Sequence, residues 1–240
     1  MSKYNNILLT RDQDGNALWR EKLNSAGIHV TELPCICFNE FHFNESQVSQ
    51  INKKLADSDY VVWTSVRGVH FSKKFFFGKD HDRKKLCAIG SSTADALRDE
   101  ISEPYLISEE MNANDLAKKI IALEEIKDKK ITLLLAKNAS DDLQERLETK
   151  GAIIDRINIY ETKPITKDAQ LKISSLKIDG IIIASPSAID GLLNQFEIDI
   201  EIDIFPIGPT TKSKLETLGF DCKNIPERPS IEGIIKEIQC

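Results

Sequence analysis

The 240-residue chain predicts an α/β fold built on mostly parallel sheets. Two observations carry this. Short apolar runs alternate with helical stretches, the pattern of successive βαβ units. The same order of elements then recurs about half a chain length later. With 41% apolar and 29% charged residues, the chain has enough apolar content for a buried core. That composition excludes collagen-like, disulfide-scaffold and largely disordered classes.

The elements read in order as follows. Ile7-Leu8-Leu9 is a strand, followed by a helix from Asn16 to Ala26 with Leu18, Trp19 and Leu23 at helical spacing. Gly27 stands where a helix stops, and Ile28–Leu33 is the next strand. Tyr60–Trp63 is a strand before a helix from Val66 to Phe77, and Leu86–Ile89 is a strand before a helix from Ser92 to Asp99. Tyr105–Ile107 is a strand before a helix from Ala113 to Ile126. Right-handed crossovers then place helices on both sheet faces.

The second half repeats this order. ILLTR at Ile7 has its counterpart in LLLAK at Leu133, and Gly27 in Gly151. VVWTSVRGVHF around Ser65 matches IIIASPSAIDGLL around Ser185, and AIGSSTADAL with Gly90 matches PIGPTTKSKL with Gly208. The offset stays near 120 residues, as a tandem duplication would give. A domain cut near Lys127 would separate the repeats. Thr31–Glu40 and Asp155–Thr162 are both extended and could instead be a paired connector between interleaved lobes, and periodicity leaves both cuts open.

The formal charge of −6 argues against a general nucleic-acid binder, which carries a basic stripe. No apolar run approaches a bilayer span, and MSKYNNILLTR lacks the apolar core of a secretory signal. Five cysteines without CxxC spacing read as reduced thiols of a cytoplasmic protein. Cys35, Cys37 and His42 come nearest to a metal cluster but read as scattered residues, as do His29, His70 and His81. Lys73, Lys74, Lys79, Arg83, Lys84 and Lys85 read as a solvated loop. There is no Walker P-loop, no GxSxG and no full GxGxxG, and no metal or flavin motif.

In parallel α/β sheets ligands bind beyond the carboxyl ends of the strands. The loops there carry Thr10, Arg11, Ser65, Arg67, Gly90, Thr93, Lys137, Ser185, Ser187, Thr210 and Thr211. A hydroxyl at such a place can cap a helix. Where it does not, the amides and helix dipole suit an anion. Two matched sets of loops suit a large ligand with many carboxylates or phosphates. Arg11, Arg67 and Lys137 can pair with anionic groups or be solvated charges. Tyr160, in INIYETKP on the extended connector, is either a buried tyrosine or a proton donor.

Together these segments resemble the uroporphyrinogen-III synthase family. The resemblance runs from ILLTR and LPCI through VVWTSVRGV, AIGSSTADAL, LLLAKNASDDLQERLETKGAIIDRINIYETKP, SPSAIDGLL and PIGPTTKSKLETLG to PERPSIEGIIKEI. Departures are Asp12 where the family usually has Pro, Val66 and Gly68 in its TS[PA]xAV loop, and Lys137 where Arg is frequent. The resemblance implies two flavodoxin-like parallel-sheet lobes joined by a two-stranded connector, with the active cleft between them. It selects the interleaved cut, with residues 1–35 and 163–240 as one lobe, 40–157 as the other, and 33–40 and 156–163 as connector strands. It implies a cofactor-free, monomeric lyase of porphyrin and haem biosynthesis that moves its lobes on binding. That enzyme cyclises hydroxymethylbilane with loss of water and inversion of the terminal ring. Tyr160 would then assist loss of the hydroxyl, and Ser65, Thr93, Ser185, Ser187, Thr210 and Thr211 would contact substrate, with many contacts made by backbone amides. The competing readings are a non-catalytic two-lobed binder of an anionic ligand, a degenerate paralogue kept open by Val66 and Gly68, and an α/β regulatory or interaction module.

Overall fold

The structure is a computed structural model that describes residues 4–77, 84–108, 110, 112–123, 125–227 and 229–239. Lys79, His81, Arg83 and Cys240, read above as loop charges, a scattered histidine and a thiol, lie outside the described residues. The chain forms two compact units, Met1–Phe38 with Thr162–Cys240, and Asn39–Glu161.

Along the chain the elements are β1 (Asn6–Leu9), α1 (Gln13–Ser25), β2 (His29–Glu32), β3 (Ile36–Glu40), α2 (Glu45–Asp57), β4 (Tyr60–Trp63) and α3 (Val66–Ser72). Then follow β5 (Lys85–Ile89), α4 (Gly90–Glu100), β6 (Leu106–Ser108), α5 (Ala113–Leu123), β7 (Lys130–Ala136), α6 (Asp142–Glu148) and β8 (Ile153–Pro164). The last stretch holds β9 (Leu171–Lys172), β10 (Gly180–Ile183), α7 (Pro186–Leu193), β11 (Phe196–Glu197), β12 (Asp203–Pro206), α8 (Pro209–Thr217) and α9 (Ile231–Gln239).

In the first unit the described strands of the main sheet are ordered β12-β10-β1-β2, all parallel. In the second they are ordered β3-β8-β7-β4-β5-β6, and the pairs from β8 to β6 are parallel. Substituting each repeat partner, β1 for β7, β10 for β4 and β12 for β5, makes β2-β1-β10-β12 the counterpart of β8-β7-β4-β5. The internal repeat is therefore present in strand order as well as in sequence. In the first unit β1 lies between β2 and β10, strands far apart in the chain, so that unit needs both chain ends.

Both faces of the first sheet are covered. Ile7 and Leu9 pack with Trp19 and Leu23 of α1 and Ile234 of α9, while Leu8 packs with Ile189 of α7 and Leu215 of α8. Burial on both faces explains why these strands are continuous apolar runs rather than alternating ones. In the second unit Val62, Leu133 and Leu135 pack with Leu116 and Ile120 of α5 and Leu143 and Leu147 of α6.

Several elements differ from the sequence expectation, among them α4, which begins at Gly90 rather than Ser92, and α5, which ends at Leu123 rather than Ile126. The helix expected from Asn16 begins at Gln13, because Asp12 caps it by accepting from the Gly15 amide. The helix expected to reach Phe77 ends at Ser72 and tightens into a 3-10 turn over Lys73–Phe75. Helix α2 was not anticipated at all. Only Ile51 and Leu55 of its thirteen residues are buried, so its apolar stripe is narrow. Its legible sign was the capping box between Asn44 and Gln47.

The chain leaves β2 along the body of α7. A Cβ on Gly191 would stand 1.8 Å from the Cys35 carbonyl oxygen, a distance no side chain can occupy. Buried Gln195 donates to the carbonyls of Pro34 at 3.1 Å and Gly191 at 2.9 Å, and the Ile165 amide donates to Cys35 O. The obstacle is backbone held from two sides, so it cannot step aside. Gly191→Ala is expected to cost about 3 kcal/mol or to prevent folding. Urea denaturation checks this, and a loss below about 0.5 kcal/mol would mean that this segment yields freely.

Candidate active site

In the first unit the adjacent strands β1, β10 and β12 end at one sheet edge. Their following loops bring Thr10 and Arg11, Ser185 and Ser187, and Thr210 and Thr211 to that edge. In the second unit β4, β5 and β7 do the same for Ser65 and Arg67, Gly90 and Thr93, and Lys137. The parallel direction of the strands is what collects these loops.

The hydroxyls divide into three kinds. Ser65 and Ser185 are true N-caps, accepting from the amides of Gly68 at 3.1 Å and Ala188 at 3.2 Å. Thr10, Thr93 and Thr211 are buried. Thr10 Oγ1 donates to Ile182 O at 2.8 Å and ties β1 to β10. Their side chains pack inside the unit rather than presenting a surface to a ligand, which departs from the contact role expected of them. Ser187 is half-buried, and Thr210 is exposed in the first turn of α8.

No side chain caps α4 or α8, which begin at Gly90 and just after Gly208. Each unit therefore pairs one hydroxyl-capped helix with one uncapped helix. The repeated I-G-x-x-T does not repeat its backbone, however. Gly90 has φ +75°, the left-handed region that glycine favours, whereas Gly208 is extended at φ −162°. The repeated threonine is what matches, buried in both units.

The basic residues are held to different degrees. The Arg11 guanidinium lies 4.4 Å from the centroid of the Trp19 ring. Buried Asn16 grips its backbone on both sides, accepting from the Arg11 amide at 2.9 Å and donating to its carbonyl at 3.3 Å. Lys137 is exposed, its ammonium 3.7 Å from the Glu161 carboxylate. Lys214, on α8, binds the Asp190 carboxylate at 2.5 Å and the Pro186 carbonyl at 3.0 Å, fixing α8 against the first turn of α7.

Tyr160 is brought into place by an irregularity. Leu135 of β7 pairs with Asn158 of β8, but the next residue, Ala136, pairs with Tyr160, so β8 carries one extra residue there. Such a bulge breaks strand alternation and re-aims a side chain. Ile159 and Tyr160 are consequently both buried. The Tyr160 ring packs on Phe71 at 5.4 Å between centroids, and its hydroxyl is 3.0 Å from Ser65 Oγ. Ser65 Oγ accepts the Gly68 amide, and either hydroxyl can donate across the contact with Tyr160; in one arrangement Ser65 donates to Tyr160 Oη. In that arrangement the tyrosine accepts from Ser65 and directs its own O–H to a different acceptor. Gly68 fits closely under this pair, a Cβ there lying 3.1 Å from Leu134 O.

Among the described residues no group of three His, Cys, Asp or Glu side chains is placed to hold a metal ion, and no helix is long and apolar enough to cross a membrane. Burial pushes the thiols of Cys35 and Cys87 up to about 12, so both stay protonated at neutral pH.

The family model described as uroporphyrinogen-III synthase HemD matches residues 18–236. The chain belongs to the uroporphyrinogen-III synthase family. A curated relative, the porphyrin biosynthesis protein HemD of Ruminiclostridium josui, is 25% identical over 210 residues, 82% of this chain. The chain spans 40% of that relative's length. Two solved family structures share the fold. Uroporphyrinogen-III synthetase of Helicobacter pylori is 18% identical with a TM-score of 0.66, covering 97% of both chains. A mutant uroporphyrinogen III synthase of Thermus thermophilus is 16% identical with a TM-score of 0.63, covering 98% of this chain and 99% of that one.

Within this family frame, the sequence reading found Ser65 and Tyr160 separately but not their pairing. It also missed Asn16, Phe71 and Arg156. Asn16 could have been suspected as a polar residue beside apolar Leu18 and Trp19, but Phe71 and Arg156 acquire meaning only from the β8 register.

Burial raises the Tyr160 hydroxyl above its ordinary value, opposed by the Ser65 hydrogen bond and the Arg67 charge. The folded protein thus keeps this proton at a pH where the unfolded chain has lost it. The group's contribution to stability is present below the ordinary tyrosine value of about 10 and is lost as pH rises through the folded one. Urea titrations from about pH 8 to pH 11 should therefore show a shallower alkaline loss of stability in Tyr160→Phe than in the parent. Identical slopes would refute the upward shift.

Proposed function

We propose that the chain is a uroporphyrinogen-III synthase, a cyclising lyase that converts hydroxymethylbilane to uroporphyrinogen III as a cytoplasmic monomer without a cofactor. The observation that carries this reading is the family match across residues 18–236. The local chemistry accords with it. Hydroxymethylbilane is a polycarboxylate, and the uncapped amides of α4 and α8 suit carboxylates. Thr210, Ser187, Arg11, Arg67 and Lys137 supply further donors at the two strand-end edges.

The first chemical step needs a proton at a departing hydroxyl. The C–O bond breaks, its electron pair leaves with oxygen as water, and the resulting cation is delocalised over the adjoining pyrrole. Tyr160 is the group assigned to the leaving oxygen: its Oη proton goes to that oxygen while Ser65 donates to Tyr160 Oη, and the tyrosinate takes back the proton that the substrate releases on ring closure. Tyrosine is already protonated at neutral pH at its ordinary value, and burial moves Tyr160 further in that direction. The inverted ring then closes through a spiro intermediate, and the competing uninverted closure needs no enzyme. The protein's work after ionisation is therefore control of geometry. Thr10, Thr93 and Thr211 act as internal supports in this account, and Gly90 opens α4 for a backbone contact.

Incubation with hydroxymethylbilane and separation of the product isomers tests the reading. Uroporphyrinogen III above the blank is expected, whereas only the uninverted isomer at the blank rate would overturn it. Tyr160→Phe should lower kcat about 100-fold with little change in KM, as loss of a proton donor does. Ser65→Ala should lower it about tenfold, since it removes the hydrogen bond to Tyr160 together with the cap of α3. An unchanged kcat in Tyr160→Phe would make that residue structural.

A further inference from the structure

Arg156 lies on β8 and bonds no side chain assigned above to substrate, only the backbone carbonyl of Lys137. Its side chain is 17% exposed, so the guanidinium is largely withdrawn from water. Each of its nitrogens has a partner, and almost all of them belong to one short turn. Nη2 donates to Ala139 O at 2.9 Å and reaches the carbonyls of Ala136 and Lys137 at 3.4 Å each. Nη1 binds the Asp141 carboxylate, and Nε donates to Asn158 Oδ1 at 3.1 Å. Arg156 therefore gathers the chain from Ala136 to Asp141, which joins β7 to α6.

That turn carries Lys137, and its other edge is tied to Tyr160. The Lys137 amide donates to Tyr160 O at 2.7 Å. The turn contains little apolar anchorage. Ala139 packs partly against the core, while Lys137, Asn138, Ser140 and Asp141 are polar. Its shape thus depends on a guanidinium fan on one side and the irregular end of the β7–β8 ladder on the other. Five N–H donors in one rigid plane can serve several carbonyls and a carboxylate together.

We propose that Arg156 is a positioning residue, holding the Ala136–Asp141 turn so that the Lys137 ammonium is presented to a substrate carboxylate. The proposal rests on the synthase reading for the identity of the substrate. It assigns Arg156 to binding rather than to loss of the hydroxyl, because its partners are carbonyls of the lysine-bearing turn and not the Tyr160–Ser65 pair. A lysine at this position keeps the charge and loses the fan. It should therefore fail to rescue, unlike at a site where charge alone matters.

The test uses the full chain as parent, Arg156→Lys, Lys137→Met and the double variant. Arg156→Lys is expected to raise KM about tenfold while kcat stays within about twofold, the signature of lost ground-state binding. Hydrogen exchange at the amides of Lys137 and Ala139 should accelerate at least about tenfold, with the amides of β4 unchanged. In the Lys137→Met background the same substitution should leave KM unaltered, since the two residues act through one contact. An unchanged KM, or an equal rise in both backgrounds, overturns the proposal. A parallel fall of kcat with faster exchange in β4 would also overturn it, showing a merely structural role. Titration with uroporphyrin, the stable oxidised polycarboxylate macrocycle, separates the two readings. If the parent forms no uroporphyrinogen III but Arg156→Lys weakens uroporphyrin binding about tenfold, the synthase reading fails and the positioning role stands. Equal uroporphyrin affinity of parent and variant removes the positioning role.

Discussion

A parallel sheet buried on both faces has one edge where chemistry can be placed. The strands themselves are filled by packing, as the complete burial of Ile7, Leu8 and Leu9 illustrates. Helices occupy the faces, because right-handed crossovers return the chain over each side. What remains are the loops at the carboxyl ends, where a strand's last carbonyls and a helix's first amides meet. The placement of the candidate residues follows from that restriction. The candidate residues are sparse in sequence because each loop contributes only two or three, and they become a site only through strand order.

The duplication applies the same constraint twice, and the two copies have kept different parts of it. Ser65 and Ser185 still cap their helices in the same way, and Thr93 and Thr211 remain buried at matching places. The glycines between them have diverged in backbone, left-handed at Gly90 and extended at Gly208. Buried packing residues and caps are held by the fold in each copy, so they persist in both. The conformation of the loop just before an uncapped helix is not dictated by packing, and it is there that the copies differ. Tyr160 has no equivalent hydroxyl pairing among the described residues of the first unit. The bulge that buries it belongs to β8 alone among the strand pairs described.

Much of the fold was legible because fully buried strands are strong signals. Tyr60–Trp63 was read to the residue, being an apolar run bounded by Asp59 and Thr64. Helix α2 was not legible from periodicity, since a helix with two buried positions barely differs from a polar loop. At the candidate site, residue type and strand-end position pointed to Ser65 and Tyr160 individually. Their contact spans 95 positions of sequence and depends on one extra residue in β8, and no local pattern encodes a register shift. Thr10, Thr93 and Thr211 show the opposite failure. A hydroxyl at a strand end looks available in sequence, but Thr10 turns inward to bond Ile182, and the other two are buried. Arg156 was invisible for a related reason. An arginine in an extended segment reads as a surface charge until the turn that it gathers is seen.

The net charge of −6 then has a local meaning rather than a global one. A protein of net negative charge can still bind a polycarboxylate if its strand-end edges present hydrogen-bond donors. Backbone amides serve this well, because their partial charges are fixed by the helix and cannot be screened by rotating away. The basic side chains are treated unequally. Arg11 is stacked on Trp19, and Lys214 is committed to Asp190 and Pro186. Lys137 is left exposed beside a single carboxylate at a distance that makes a weak pair. An exposed lysine loses side-chain freedom when it binds, so its usefulness depends on how firmly its backbone is held. Arg156 is buried enough to do that holding, and its nitrogens are committed to the turn and to Asn158. The division places the rigid, multiply bonded cation against the turn and the singly charged lysine in solvent, so that the lysine's charge stays exposed while the backbone beneath it is held.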